Sequence, residues 1–279
     1  MPTLDVVVPE APLSVLVIGA HLDDCEIRFG GTADRYTDLG HDVTFVSMTD
    51  GSAGHHDLDG PELVQRRRRE ARAAAEVGGV DYEFLDAPDG RLQPTIEYRN
   101  RVLRLLRETE PDVVFTHRPN DYHPDHRYTS MVVQDSAYMV TVPNVCPETP
   151  HLAYNPVMMY LPDEFQKPSP LVPDVVVPID DAVETKLDML HCHESQVYEW
   201  LPYNDGTLEA VPDEEAARRR WLDARRRPDF EALADRFRDR LVDVYGESQG
   251  NRIQCAEVFE HCEYGGRLTP ENRTVLFPF

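Results

Sequence analysis

The chain has 279 residues, with 51 Asp or Glu against 28 Lys or Arg, and a formal net charge of −23. That balance disfavours nucleic acid and anionic membranes as partners, since both need a cationic footprint. No apolar stretch reaches membrane-spanning length.

The N-terminal ten residues carry neither a basic region nor a proper signal core, and a cytoplasmic protein is expected. The five cysteines (Cys25, Cys146, Cys192, Cys255 and Cys262) are odd in number and lack a C-x-x-C pair, so they read as reduced thiols. Only Lys167 and Lys186 are lysines. An acidic, lysine-poor surface suits a high-salt cytoplasm, although a GC-rich genome also trades Lys for Arg.

In chain order, residues 13–26 read L-S-V-L-V-I-G-A-H-L-D-D-C-E. The unbroken, β-branched apolar run predicts a strand buried on both faces, hence parallel. It ends in His21, Asp23, Asp24 and Glu26, and ligands bind at such C-terminal strand ends in open α/β sheets. His21 and Asp24 offer nitrogen and oxygen donors suited to a cation such as zinc. Asp23 is then free to face a water on that cation. Adjacent carboxylates repel unless a cation offsets them. The competing reading makes Asp23 and Asp24 plain caps of the next helix.

A helix over 27–39 ends at Gly40, and a strand covers 43–48. In the following T-D-G-S-A-G-H-H loop, His55 and His56 are either substrate groups or exposed loop residues. Pro61 opens a helix to 75, stopped by Gly78-Gly79, with most of Arg66 to Arg69 solvated. A strand over 82–85 leads to D-A-P-D-G, where Asp89 is a candidate for a sugar hydroxyl and equally a turn aspartate. A helix over 96–107 turns Val102, Leu103 and Leu106 inward.

The next strand, 113–116, ends in His117, Asn120, Asp121, His123, Asp125 and His126. His126 is the candidate third ligand. Two imidazoles and one carboxylate leave a coordination position for water, the arrangement of a catalytic site. His123 then stands beside the metal as proton donor or oxyanion stabiliser, and Asp125 can fix an imidazole tautomer.

The alternation so far predicts a Rossmann-like α/β fold: a mostly parallel sheet with helices on both faces and a metal site at the C-terminal ends of the strands. After a helix over 127–140, a proline-rich loop over 141–156 is expected to wall the pocket. Strands over 157–161 and 175–179 follow. A helix over 182–198 carries His193, either a substrate or supporting group or a partly buried structural one. Charged helices over 216–226 and 229–245 are separated by Pro228. Phe230, Leu233, Phe237, Leu241 and Val244 fall at helical spacing as a core stripe or a subunit contact, which leaves a homo-oligomer open.

A-H-L-D-D-x-E together with H-P-D-H resembles the LmbE/PIG-L family of metal-dependent de-N-acetylases. The family's usual first motif is A-H-P-D-D-x-E, so Leu22 stands where Pro is usual. The similarity continues through T-D-G at Thr49 to Gly51, R-x-x-E at Arg67 to Glu70, P-D-G at Pro88 to Gly90, and K-x6-H-x-S-Q from Lys186 to Gln196. The resemblance implies one zinc per chain held by His21, Asp24 and His126, with Asp23 as general base and His123 as electrostatic or acid catalyst. It singles out Arg67 for substrate or for pairing with Glu70. Some relatives have a tyrosine where Asp121 stands here. A later A-E-x-F segment also resembles relatives, with Glu257 a candidate to close the pocket.

The expected organisation is a catalytic domain over 1–200 and a C-terminal helical extension over 201–279 packed on it. The expected activity is removal of acetyl from an N-acetylglucosamine-type sugar or glycoside, with Asp23, His123 and Asp125 in catalysis and Arg67, Asp89 and His193 on the substrate. Fe(II) and Co(II) suit the same donors. The rival readings are an amidase for a thiol conjugate or natural product, a closed structural metal site, and a non-catalytic sugar-binding α/β protein. A phosphate-cradling version of the last lacks a G-x-G-x-x-G after the first strand.

Overall fold

β1 (Ser14–Gly19) is the middle of the first apolar run, and its side chains alternate between two cores. Val15 and Val17 join Phe29, Phe45, Phe115 and Phe259 on one side, while Leu16 and Ile18 join Val46, Val102, Val114 and Val132 on the other. This computed structural model describes residues 12–279, so the stretch read for a signal core lies outside the described residues. Next come α1 (Asp24–Asp38), β2 (Asp42–Thr49), α2 (Gly60–Gly78), β3 (Asp81–Ala87), α3 (Ile96–Thr109), β4 (Val113–Thr116) and α4 (Pro124–Ala137). β5 (Val157–Tyr160), β6 (Val175–Pro178) and α5 (Val183–Cys192) follow, then a π-helical turn (Ser195–Trp200) running into α6 (Leu201–Asn204). The chain closes with α7 (Glu215–Arg236), α8 (Arg238–Tyr245), α9 (Glu247–Gly250), β7 (Ala256–His261) and α10 (Pro270–Leu276).

The sheet order is β3-β2-β1-β4-β5-β7-β6. β1 to β5 are mutually parallel, and β7 runs antiparallel between β5 and β6. α1 and α5 contribute to the core on one face, α3 and α4 to that on the other. The order reverses between β1 and β4, so a crevice opens at their C-terminal ends.

The structure departs from the sequence reading at several elements. The helix expected from residue 27 begins at Asp24. The helix expected over 182–198 stops at Cys192, where His193 leaves helical geometry (ψ 56°), and resumes as a π-turn. Pro228 does not separate a pair of helices: α7 runs through it, spanned by an Arg227–Asp223 pair at 2.6 Å and followed by the buried Phe230 and Ala234. The break falls at Phe237 instead. Phe230 and Leu241 are core residues, whereas Val244 is exposed. The 201–279 segment is not helical throughout, since it supplies β7.

The proline-rich loop does not wall the crevice. Arg107, near the C-terminus of α3, donates to the carbonyls of Met139, Val140, Val142, Val145, Cys146 and Thr149 at 2.7–3.1 Å. That anchors the loop at the opposite edge of the sheet. The carbonyls of Met139, Val140, Val142 and Cys146 also accept backbone amides, and the one guanidinium ties these turns together.

Candidate metal centre and active site

Leaving β1, the chain turns at once into α1, which places His21 beside the first helical residue, Asp24. Leaving β4, it reaches α4 through a loop that brings His126 into that helix's first turn. His21 Nδ1 lies 3.1 Å from His126 Nε2 and 3.3 Å from Asp24 Oδ2, and His126 Nε2 lies 3.4 Å from Asp24 Oδ1. Bonds of about 2.0–2.1 Å at a tetrahedral angle put donors about 3.3 Å apart. The two imidazoles meet that spacing, and Asp24 meets it through a different oxygen to each ring. His123 with His21 and His126, and His117 with Asp24 and His126, also cluster closely enough to hold a metal ion. The set of His21, Asp24 and His126 is two imidazoles and a carboxylate, buried or nearly so.

Each ligand candidate is oriented from behind. Asp121 Oδ1 is 3.0 Å from His126 Nδ1, an ion-pair distance without the alignment of a hydrogen bond. Asp89 Oδ1 is 3.4 Å and Asp125 Oδ2 3.7 Å from His21 Nε2. Asp24 Oδ2 accepts from the backbone amides of Ala20 (3.0 Å) and His21 (2.7 Å) and lies 3.2 Å from His117 Nε2. Carboxylates behind metal-binding imidazoles fix the ring and raise its basicity.

The electrostatics follow. Burial opposes charge on His21, but Asp125, Asp24 and Asp89 outweigh it and lift its pKa well above the imidazole range. Burial is likewise overcome at His126, which Asp24 and Asp121 raise to about 9. Burial and the neighbouring His126 depress His117 to about 4, so that ring is neutral near pH 7. His117 stacks on His126 with centroids 4.0 Å apart, bracing the ligand.

His123 is the N-cap of α4: its Nδ1 accepts from the Asp125 amide at 3.2 Å. In the neutral ring the proton is therefore on Nε2. Burial, then the positive rings of His21 and His126, keep its pKa low. Its ring centroid is 4.6 Å from that of His21.

Asp23 is at the N-cap of α1 but makes no side-chain cap bond, which removes the plain-cap reading. Its Oδ2 instead accepts from Gln196 Nε2 at 2.9 Å. Gln196 Oε1 in turn accepts from Arg67, which also donates to the carbonyls of Gly51 and Gly54. Arg67, expected on substrate or paired with Glu70, is thus buried beside Asp23, its terminal nitrogens on Gln196 and two carbonyls, with Nη1 3.7 Å from Asp89. Asp89, expected on a sugar hydroxyl, accepts from the amides of Ala53 and Gly54 and flanks His21. His193, also expected on substrate, is fully buried and pairs with Glu26 at 2.9 Å. Glu70 accepts from Ser195 rather than from Arg67.

Three residues with no assigned role in the sequence reading matter here. His117 and Asp121 share the loop that carries His126, and their proximity to the motif was the available signal. Gln196 closes the K-x6-H-x-S-Q motif, but its contact with Asp23 had no signal, because that partner is 173 residues away. Glu257, expected to close the pocket, lies inside β7. There it pairs with Lys186 at 2.5 Å and accepts from the amides of Gly31 and Thr32. A 440 Å³ cleft lined by His41, Arg72, Glu76 and Tyr82 lies at the starts of β2 and β3, the edge remote from these groups.

Fold and site together define a hydrolase of the de-N-acetylase class. The chain belongs to the PIG-L family: residues 16–137 match its model, described as GlcNAc-PI de-N-acetylase. It is 34% identical to diacetylchitobiose deacetylase of Thermococcus kodakarensis over 206 residues, which cover 68% of this chain and 74% of that protein. The solved N,N'-diacetylchitobiose deacetylase of Pyrococcus horikoshii, in complex with an inhibitor, is similar with a TM-score of 0.69. That match is 26% identical and covers 93% of this chain and 88% of the other. A 4-oxalmesaconate hydratase of Pseudomonas putida is 24% identical over 204 residues, covering 70% of this chain and 79% of that protein.

Proposed function

We propose that the protein hydrolyses the N-acetyl group of an N-acetylglucosamine-type sugar or glycoside, with one zinc held by His21, Asp24 and His126. The observation that carries this reading is the convergence of those three donors, from two distant loops, to within 3.1–3.4 Å. A divalent cation with this donor set polarises an amide carbonyl and makes water nucleophilic near neutral pH.

The chain's own groups do the rest. Asp23 accepts the attacking water's proton through the carboxylate oxygen that Gln196 does not hold. His123 donates its Nε2 hydrogen to the carbonyl oxygen as negative charge develops there. Asp23 then passes the proton to the departing amine nitrogen, giving acetate and free amine. Asp125 acts at a remove, by holding the Gly90 amide at 2.7 Å and facing His21.

A neutral, freely diffusing sugar suits the net charge of −23 better than an anionic lipid headgroup at a membrane surface. Among the described residues no helix is long and apolar enough to cross a membrane. The five unpaired cysteines support a reducing, cytoplasmic setting.

The test is acetate release from a panel of N-acetylated sugars by zinc-loaded protein, with Asp23→Asn as control. The wild type should release acetate, and the variant should turn over about 10²–10⁴-fold more slowly. Near wild-type turnover in the variant would reject Asp23 as the base. A hydratase would release no acetate from any of these sugars.

A further inference from the structure

Gln196, Trp200 and Tyr203 fall at i, i+4 and i+7 along the π-turn and α6, one stripe of a continuous helical run. The stripe starts at Asp23, which Gln196 touches, and leads outward over about 10 Å at the usual rise per residue. At its outer end the rings of Tyr203 and His56 stack with centroids 4.3 Å apart and planes 8° apart. His55 continues the stack at 4.6 Å, and Trp200 lies nearly parallel to Tyr203 at 6.0 Å.

The stack is held at its histidine base and open at Tyr203. Glu199 braces its base, accepting from Arg66 and lying 2.8 Å from His55 Nε2. Tyr203 is 52% exposed, so the outer end of the stack is open to solvent. The stack also adjoins the site: a Cβ on Gly54 would come 3.5 Å from Trp200 Nε1, and the Gly54 amide donates to Asp89, the carboxylate beside His21.

We propose that Trp200 and Tyr203, backed by His56, form a shelf for the second sugar ring of an N-acetylated oligosaccharide. A pyranose presents a face of C–H groups, and a flat, pre-stacked aromatic surface with little conformational entropy left to lose is its natural complement. The shelf lies about two helical turns beyond the group that touches Asp23, so the ring bearing the scissile acetamide does not reach it and the next ring does. The assignment rests on the deacetylase reading, and it makes the loop over 51–56 and the π-turn the elements that set substrate length.

The experiment compares kcat/KM for an N-acetylated disaccharide and for the N-acetylated monosaccharide in wild type, Tyr203→Ala, Tyr203→Phe and Trp200→Leu. The expected result is a disaccharide preference in wild type that falls about tenfold in Tyr203→Ala and in Trp200→Leu, and that Tyr203→Phe keeps. A ratio in both Tyr203→Ala and Trp200→Leu within twofold of wild type would overturn the shelf, as would an equal loss in Tyr203→Phe. Acetate release by wild type from neither sugar would refute the deacetylase reading instead. Calorimetric binding of the intact disaccharide then decides the shelf by itself: about tenfold weaker binding to Tyr203→Ala supports it, and equal binding overturns it.

Discussion

At the scale of single residues, the proposed metal centre would depend on groups that are not themselves ligands. Asp121 faces the outer nitrogen of His126 at 3.0 Å, so it both aims the ring and makes it a better donor. Asp121→Asn keeps the shape and removes the charge. Metal affinity is expected to fall about 10–100-fold, read by competition with a chelator of known affinity; unchanged affinity would show that Asp121 does not support the ligand. The same carboxylates make metal uptake depend on pH. A cation binds only the neutral imidazole, yet without metal His126 stays protonated up to about 9 and His21 is also raised. Affinity should therefore rise with pH through the neutral range to about 9. Uptake near pH 7 should release protons, measurable by calorimetry in buffers of different ionisation heat. Uptake with no proton release would mean the rings are already neutral.

At the scale of elements, one buried ion pair fastens the late strand to the early helices. Lys186 from α5 meets Glu257 from β7, both almost fully buried, and the carboxylate also holds two amides of α1. Removing one partner leaves the other charge buried alone. Lys186→Met is expected to cost about 3–5 kcal/mol in urea unfolding, more than replacing both partners by apolar residues. A loss under about 1 kcal/mol for Lys186→Met would mean that water reaches Glu257. This pair also marks where sequence reading runs out. A buried glutamate in a strand defies the apolar pattern that reveals strands, so A-E-V-F-E did not read as β7. Pro228 misled for the opposite reason, because packing of Phe230 and Ala234 overrides its local preference. The parallel half was legible because β1 and β4 carry unbroken apolar runs and β2 is rich in β-branched and apolar residues. The proposed ligands were legible because His21 and Asp24 directly follow β1 and His126 sits in the polar loop and helix start that follow β4. The contacts of Gln196, Arg67 and His193 were not, since their partners are set by tertiary packing between distant segments.

At the scale of the whole molecule, the excess of acid is the dominant feature. With a net charge of −23, the folded chain repels itself, and screening by salt relieves that repulsion. The melting temperature should rise as NaCl is increased from about 10 mM to about 1 M, when the Debye length shrinks from about 30 Å to about 3 Å. A falling melting temperature would show that the surface ion pairs outweigh the repulsion. The same field keeps anionic surfaces away and leaves a neutral sugar free to approach, which agrees with the aromatic character of the proposed shelf.

The central claim is that His21, Asp24 and His126 together hold one catalytic metal. Its most direct test is metal content per chain after stripping and reloading with zinc, for wild type, Asp23→Asn and His126→Ala. The expected result is about one zinc per chain in the first two and little in the third, with acetate release in wild type alone. A His126→Ala protein that still holds one zinc and still releases acetate would contradict it.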